Sequence, residues 1–251
     1  MGKMIRQSVR RTFLSKSFFF SMFGTVILCY FCAREFFDPS CSSVYVIDVM
    51  LNLGLLKKVL VFFAAVPAVT LYCQDQNSGF IRSIVVRSGI RNYTRSSFLA
   101  CAVSGFVSLF SGLVIFFGIV SVFCPVKSYE AGGIYDGIAQ SVPVLYTLIE
   151  LSIFSFYCTM WTMVGFALSS VIPNKYVALG SPLIFGYLLE ELTDKFPTYL
   201  NLYRLSHCSD VFAKSAATDY LYTIGLFLMV IVFSEVMFSY FAGRRNRNEM
   251  V

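Results

Sequence analysis

Six apolar stretches follow one another along the chain, separated by short polar segments. They cover residues 17–33, 59–74, 96–126, 137–174, 176–189 and 220–243. A helix needs about 20 apolar residues to cross roughly 30 Å of hydrocarbon, so these stretches are candidate membrane spans. The pattern therefore predicts an all-α integral membrane protein. The fourteen residues of 176–189 fit a re-entrant segment as well as a span.

The distribution of Lys and Arg favours a sixth crossing over a re-entrant segment. With six crossings and both termini in the cytoplasm, the inner segments hold thirteen bases and two acids, whereas the outer segments hold seven bases and ten acids. Five crossings would place the basic segment 244–247 outside, against the tendency of bases to stay in cytoplasmic loops. We therefore predict six transmembrane helices with cytoplasmic N and C termini, in a single transmembrane domain over residues 1–251.

The composition excludes a soluble protein. Of the 251 residues, 57% are hydrophobic and 14% are charged, and a soluble chain of this size cannot bury that much apolar surface. The net charge of +6 comes from bases beside the apolar stretches, so it indicates membrane topology and not nucleic-acid binding. The eight cysteines lack the spacing of a zinc site, and no GxxxxGK(S/T) phosphate loop occurs. Any nucleotide hydrolysis therefore belongs to another chain.

The N-terminal segment 1–16 places apolar side chains at helical spacing between bases. Met4, Ile5, Val9 and Phe13 form the apolar stripe. Such a helix lies in the plane of the lipid headgroups, with its bases attracted to anionic lipid. A basic terminus that only sets the topology fits the same charges.

A second amphipathic segment lies in the predicted cytoplasmic loop between the second and third crossings. Asn77 and Ser78 are suitable N-cap residues and Gly89 is a helix terminator, so we expect a helix within residues 75–93. A helix this short either rests on the membrane or fits into the groove of a partner. The side chains that it offers for contact are Phe80, Ile81, Arg82, Ile84, Val85, Arg87 and Arg91.

The predicted outer side carries longer polar segments at residues 34–58 and 190–219. Neither is as long as a domain. Residues 44–56 are apolar enough to form a short helix against the outer leaflet, and residues 196–205 have the same character.

Few candidate functional residues lie within the apolar stretches. Glu150 and Glu235 are the two charges, and a carboxylate in a membrane needs a partner or a polar cavity. Functional and structural roles are equally open for Glu150, whereas Glu235 fits a structural role near the cytoplasmic end. Tyr157 and Trp161, together with Glu150, are candidates to line a substrate path, although aromatic residues in a helix bundle usually serve packing.

Residues 190–195, with the sequence EELTDK, resemble the EExxxR motif of the CAAX-type membrane endopeptidases, with Lys in place of Arg. That family also uses histidines on later helices, and this chain has one, His207, preceded by Tyr203. A single imidazole argues against a metal site. We favour the interpretation of these residues as an acidic helix end at the outer interface.

The chain as a whole resembles the six-span permeases of the ABC type-2 transporter class. The resemblance rests on the basic lead-in at residues 3–13, on the segment QDQNSGFIRSIVVRSGIRNYTRS, and on the run GFALSSVIPNKYVALGSPLIFGYLL, in which a short turn leads into a span with a proline. It implies two permease chains, identical or related, over two ATP-binding subunits that hold ATP and Mg²⁺. It also implies that residues 75–93 are the coupling helix that docks on the ATPase, and that residues 190–219 contain outer re-entrant helices.

The same resemblance implies an exporter in a bacterial plasma membrane, with no catalytic residue, metal or cofactor in this chain. An aromatic-rich bundle with few inner charges favours an amphipathic or apolar cargo, such as a peptide or peptide antibiotic. Two alternatives stay open from the sequence. They are a CAAX-type intramembrane endopeptidase and a non-transporting membrane immunity or scaffold protein.

Overall fold

The computed structural model describes residues 2–38, 40–81, 89–208 and 215–248, and the regular elements in these ranges are all helices. Single 3-10 turns occur at Arg34–Phe36, Gly133–Tyr135 and Thr198–Leu200. The prediction of an all-α protein is confirmed. The α-helices in these ranges are α1 (Gly2–Phe13), α2 (Lys16–Ala33), α3 (Ser43–Asn52), α4 (Gly54–Ala65), α5 (Leu71–Asn77), α6 (Ile90–Phe123), α7 (Asp136–Ser141), α8 (Pro143–Ser169), α9 (Lys175–Thr193), α10 (Leu202–Leu205) and α11 (Ala216–Asn248).

Four helical segments of the described chain are long and apolar enough to cross a membrane. They are Lys16–Phe36, Ile90–Phe123, Pro143–Ser169 and Ala216–Arg245. Their length and composition are those of a membrane protein.

The other two predicted crossings have a different form. The apolar stretch 59–74 is divided between α4 and α5 by turns at residues 66–70. Pro67 lies in these turns, and a proline cannot donate the backbone hydrogen bond that would continue a helix. The apolar stretch 176–189 belongs to α9, which is uninterrupted but also contains Glu190 and Glu191.

Helix α8 forms the centre of the bundle. It packs against α4, α6, α9 and α11, and its most apolar window is 78% buried. The corresponding windows of α2, α6 and α11 are between 22% and 39% buried. A helix that is hydrophobic on all sides is stable in such a central position, whereas the outer helices present one face to the bundle and the other to lipid.

Small residues allow α2 and α6 to approach closely. The Ser21 hydroxyl donates to the backbone oxygen of Phe63 at 2.6 Å and lies 3.3 Å from the Ser108 hydroxyl. A side-chain carbon placed on Gly112 would lie 2.9 Å from the backbone oxygen of Met22. Small residues at such interfaces are the usual way for membrane helices to pack, because they bring the backbones into van der Waals contact.

The two outer segments contain short helices where the apolar pattern predicts them. Residues 44–56 correspond to α3, which ends earlier, at Asn52, and most of its apolar side chains are buried. Residues 196–205 correspond to a 3-10 turn and to α10. All eight cysteines are free thiols.

Gly112→Ala is expected to lower the free energy of unfolding by about 1–3 kcal/mol, because the added methyl group meets the backbone of α2 and overpacking has costs of that size. Helix propensity alone favours alanine over glycine by about 1 kcal/mol, so a loss of stability isolates the steric effect. Thermal unfolding of the detergent-purified protein, followed by circular dichroism, measures the change.

Gly118→Ala is the matched control. It makes the same substitution in the same helix, but no atom lies within 4 Å of the added carbon. Its stability should equal or slightly exceed that of the original protein. Equal destabilisation by both substitutions would contradict the close approach of α2 and α6.

Candidate functional site

The three residues of the predicted substrate path lie on one face of α8. Glu150, Tyr157 and Trp161 are seven and eleven residues apart along the helix, so their side chains point in nearly the same direction. All three are at least 98% buried. The Tyr157 and Trp161 rings meet edge to face with centroids 6.2 Å apart. This face of α8 is covered by neighbouring helices, and its role in transport stays a prediction.

Lys57 of α4 is the central residue of a polar cluster beside Tyr157. Its ammonium is buried, donates to Glu190 Oε1 at 2.7 Å and donates to Ser206 Oγ at 2.6 Å. It also lies 4.9 Å from the ring centroid of Tyr157 and 4.6 Å from that of Tyr203. A carboxylate and two aromatic faces therefore compensate the buried charge. We refer to Lys57, Glu190, Ser206, Tyr157 and Tyr203 as the Lys57 cluster.

Close packing of α8 against α9 positions Glu190 in this cluster. A side-chain carbon on Gly165 would meet the ring of Pro182 at 2.5 Å. On the same interface, Gly186 leaves space for the indole of Trp161, which would lie 3.6 Å from an added carbon. Glu190 follows Gly186 by one helical turn, so this contact fixes the height at which its carboxylate reaches α4.

Sequence reasoning assigned Lys57 only to the outer bases and missed its role. Lys57 and Glu190 are 133 positions apart, and neither lies in a motif that indicates a pair. The only local signal is that a lysine precedes the apolar run 59–74 by two positions. Such a lysine usually extends to the headgroups, so the signal does not distinguish a buried lysine from an exposed one.

His207 lies next to the Lys57 cluster but is electrically neutral. Its ring contacts that of Tyr203 with centroids 5.3 Å apart, and both ring nitrogens are buried without a hydrogen-bond partner among the described residues. Burial and the adjacent positive charge of Lys57 lower the pKa of His207 to about 3. The imidazole therefore carries no charge at neutral pH and does not compete with Lys57 for Glu190.

The structure thus brings together Glu190 of the EELTDK segment, Tyr203 and His207, which are the residues that resemble the endopeptidase motifs. Their arrangement differs from a hydrolytic site because the Glu190 carboxylate is bound to the Lys57 ammonium. The described residues also include no group of three His, Cys, Asp or Glu side chains that could hold a metal ion.

A cleft of about 220 Å³ adjoins the Lys57 cluster. The Lys58 ammonium, in the wall of the cleft, lies 4.0 Å from the ring centroid of Tyr187. Carboxylates outnumber this single base, and tyrosine rings attract cations, so the cleft favours cationic groups over anionic ones. The residues that line it are Gly54, Lys58, Tyr187, Glu190, Glu191, Asp194 and Tyr203.

The predicted coupling segment begins at the opposite end of α4 and α5. Helix α5 includes Asp75 and ends at Asn77, and a turn at Ser78 and Gly79 separates it from helical residues 80 and 81. Gly79 has a φ of +69°, a conformation that glycine adopts without strain. The segment is therefore divided and not a single helix from residue 75. Of its predicted contact residues, Arg82, Ile84, Val85 and Arg87 lie outside the described residues.

The described contact residues of this segment have different environments. Phe80 is 48% exposed, and Arg91 is exposed at the start of α6. Ile81 is buried in the core, because the turn at Gly79 directs its side chain toward the bundle. Phe80 and Arg91 are thus accessible to a partner, whereas Ile81 anchors the segment.

Asp75 joins the N-terminal helix to this segment. Arg11 Nη1 of α1 is 2.9 Å from Asp75 Oδ1, and the Tyr93 hydroxyl of α6 donates to Asp75 Oδ2 at 3.0 Å. The Arg11 guanidinium also lies 5.9 Å from the ring centroid of Phe80. Arg11, Asp75, Tyr93 and Phe80, which we call the Asp75 network, therefore connect α1, α5 and α6 at this end of the bundle.

Comparisons with known proteins do not assign a family to this fold. No family model matches the chain, and no curated protein or solved structure matches it. The resemblance to type-2 ABC permeases remains an interpretation of topology and motifs.

Glu190→Gln is expected to lower the free energy of unfolding by about 3–5 kcal/mol, because it leaves the buried Lys57 ammonium without a counter-charge. Glu191→Gln is the matched control, since the neighbouring carboxylate is exposed, and its effect should stay within about 0.5 kcal/mol. Unfolding of the detergent-purified variants at neutral pH measures both changes in the free energy of unfolding. Equal stabilities of the two variants would contradict the pairing of Lys57 with Glu190.

Raising the pH should reduce the loss of unfolding free energy that Glu190→Gln shows relative to the original protein. Burial lowers the pKa of Lys57, and the Glu190 carboxylate opposes that shift. Without the carboxylate the pKa falls further, so the folded variant loses the Lys57 proton while the unfolded chain keeps it up to the ordinary value of 10.5. The unfolded state then binds more protons, and stability rises with pH below that value. A deficit that grows with pH would contradict this assignment.

Proposed function

We propose that the chain is the membrane-spanning permease subunit of an ATP-driven exporter of the ABC type-2 class. In this proposal two permease chains, identical or related, act with separate ATP-binding subunits that hold ATP and Mg²⁺. The observation that carries the proposal is the Asp75 network, which connects the exposed Phe80 to three helices.

The Asp75 network provides a mechanical route from a cytoplasmic partner to the bundle. Helix α1 packs along α6, and Asp75 joins both of them to α5. A partner that moves the segment around Phe80 therefore acts on all three helices together. If the partner docks differently in its ATP-bound and empty states, this difference biases the bundle between inward and outward openings.

Two further crossings complete the proposed six-span topology. Helices α4 and α5 together carry the apolar stretch 59–74, and the nineteen residues of α9 extend over about 28 Å, close to the hydrocarbon thickness. The Lys57–Glu190 pair lies where α4 begins and α9 ends, so its two charges neutralise each other at one end of the bundle. The distribution of bases along the chain supports cytoplasmic termini, and a bacterial plasma membrane is the location that the resemblance to type-2 ABC permeases implies.

The endopeptidase alternative has weaker support. It needs a free Glu190 and more than one imidazole, whereas Lys57 binds the Glu190 carboxylate and the chain has a single histidine. A non-transporting immunity or scaffold protein would act without ATP, so ATP dependence separates it from a permease. For the cargo we retain an amphipathic or apolar molecule of the peptide class, since the bundle is rich in aromatic residues.

Phe80→Asp is expected to abolish association with the ATP-binding subunit, because it places a charge in a contact that the exposed ring would make. The full-length tagged chain is purified from membranes in mild detergent. Bound chains are tested for a GxxxxGK(S/T) sequence and for ATP hydrolysis, and both should be reduced at least tenfold in the variant.

Tyr176→Asp is the matched control. Tyr176 is an exposed aromatic residue at the start of α9, on the same side as Phe80 in the proposed topology, and it is 85% exposed. ATPase association should be unaffected. A purified protein without any ATP-hydrolysing partner, or equal loss in both variants, would contradict the permease assignment.

A further inference from the structure

Glu150 is a buried carboxyl group without a visible counter-charge. It lies in α8, two turns from Pro143 at the start of the helix, and its side chain is completely buried. Neither of its carboxyl oxygens has a hydrogen-bond partner among the described residues. An isolated ionised carboxylate in such a position is strongly unfavourable, so the charge must be compensated or absent.

The group that faces Glu150 is another acid. Helix α3 packs against α8, and its Asp48 interacts electrostatically with Glu150. Asp48 accepts hydrogen bonds from the Tyr129 hydroxyl at 2.7 Å and from Asn52 Nδ2 at 3.2 Å. Both of these donors are directed at Asp48 and neither at Glu150.

The remaining titratable groups around Glu150 are neutral at neutral pH. They are Tyr129 in the segment after α6, Tyr146 one turn earlier in α8, and Cys208 after α10. Burial, followed by the nearby Asp48 carboxylate, raises the pKa of the Tyr129 hydroxyl, so it stays a hydrogen-bond donor. The ion pairs within the described chain do not involve either acid.

A proton is the compensating ion that fits this site. Two carboxylates do not provide the six to eight oxygen ligands that Ca²⁺ takes, and no group of three His, Cys, Asp or Glu side chains for a metal ion exists among the described residues. When like-charged carboxyl groups share an apolar site, one of them holds a proton. We propose that Glu150 and Asp48 form a proton-binding pair that keeps one proton at neutral pH, with the proton on Glu150 and the negative charge on Asp48.

This pair makes the contact between α3 and α8 dependent on one proton. With the proton in place, Glu150 is a neutral donor toward an ionised acceptor. Loss of the proton would place two like charges at the same contact and drive α3 away from α8. The site stands independently of the proposed transport function, because it rests only on the burial of Glu150 and the hydrogen bonds of Asp48.

Infrared difference spectroscopy, which compares the protein before and after hydrogen/deuterium exchange, tests directly whether Glu150 holds a proton. The protein in lipid nanodiscs at neutral pH should show the carbonyl stretch of a protonated carboxylic acid. Glu150→Gln should lose this band. Asp48→Asn should keep it at a shifted frequency, because the acceptor of the Glu150 proton has changed. Asp48→Asn also serves as the second variant if Glu150→Gln does not fold.

Glu235→Gln is the matched control for a glutamate within an apolar stretch. Glu235 lies 3.7 Å from Arg95 and is partly exposed, so it lacks the enclosed, unpaired environment of Glu150, and its replacement should leave the band unchanged. Three outcomes would overturn the proposal: absence of the band in the original protein, its persistence in Glu150→Gln, or its loss in Asp48→Asn. A band that emerges only after removal of Na⁺ would identify a bound cation in place of the proton.

Discussion

The structure depends on the need to compensate each charge that the helix bundle encloses. Lys57 and Glu190 meet this requirement through a short ion pair, and the tyrosine rings around Lys57 add to it. An apolar surrounding makes such a pair hard to break, because either partner alone would be an uncompensated charge. The pair therefore adds a directional contact between α4 and α9 to the close packing of α8 against α9.

The same requirement accounts for the opposite end of the bundle. Asp75 is nearly buried, and it is satisfied by Arg11 from α1 and Tyr93 from α6. An amphipathic N-terminal helix that could simply lie on lipid is thereby bound to the polar segment after α5. The two ends thus differ: the Lys57 cluster joins α4 to α9, and the Asp75 network holds the exposed ring of Phe80, where we propose that a partner docks. Glu150 is the exception in the centre, where we infer that a proton replaces a counter-ion.

Hydropathy predicted the features that depend on local composition. The all-helical class, four of the six predicted crossings as long apolar helices, and the helix α3 all follow from residue types within one stretch. Glu235, for which we expected a structural role, lies 3.7 Å from Arg95, a base that the predicted topology places in the cytoplasmic loop before the third crossing. Such short-range patterns can be recognised in a single sequence because each residue contributes independently.

The features that sequence reasoning missed depend on tertiary contacts. No pattern connects Lys57 with Glu190 or Asp48 with Glu150, since these residues meet only after distant helices have packed. The buried position of Ile81 follows from the turn at Gly79, which redirects the chain after α5. Periodicity alone placed Ile81 on the same contact surface as Phe80, because it contains no information on where a helix turns away from the bundle.

Sidedness of the chain is the most direct test of the account. In a variant without the eight native cysteines, single cysteines replace Phe80 and Asp194 and are treated with a membrane-impermeant maleimide. Six crossings predict labelling of Asp194→Cys in intact cells and of Phe80→Cys only after permeabilisation. If only the four longest apolar helices cross, both positions lie on the same side. Labelling of both cysteines in intact cells would therefore contradict the six-span permease and its cytoplasmic docking segment.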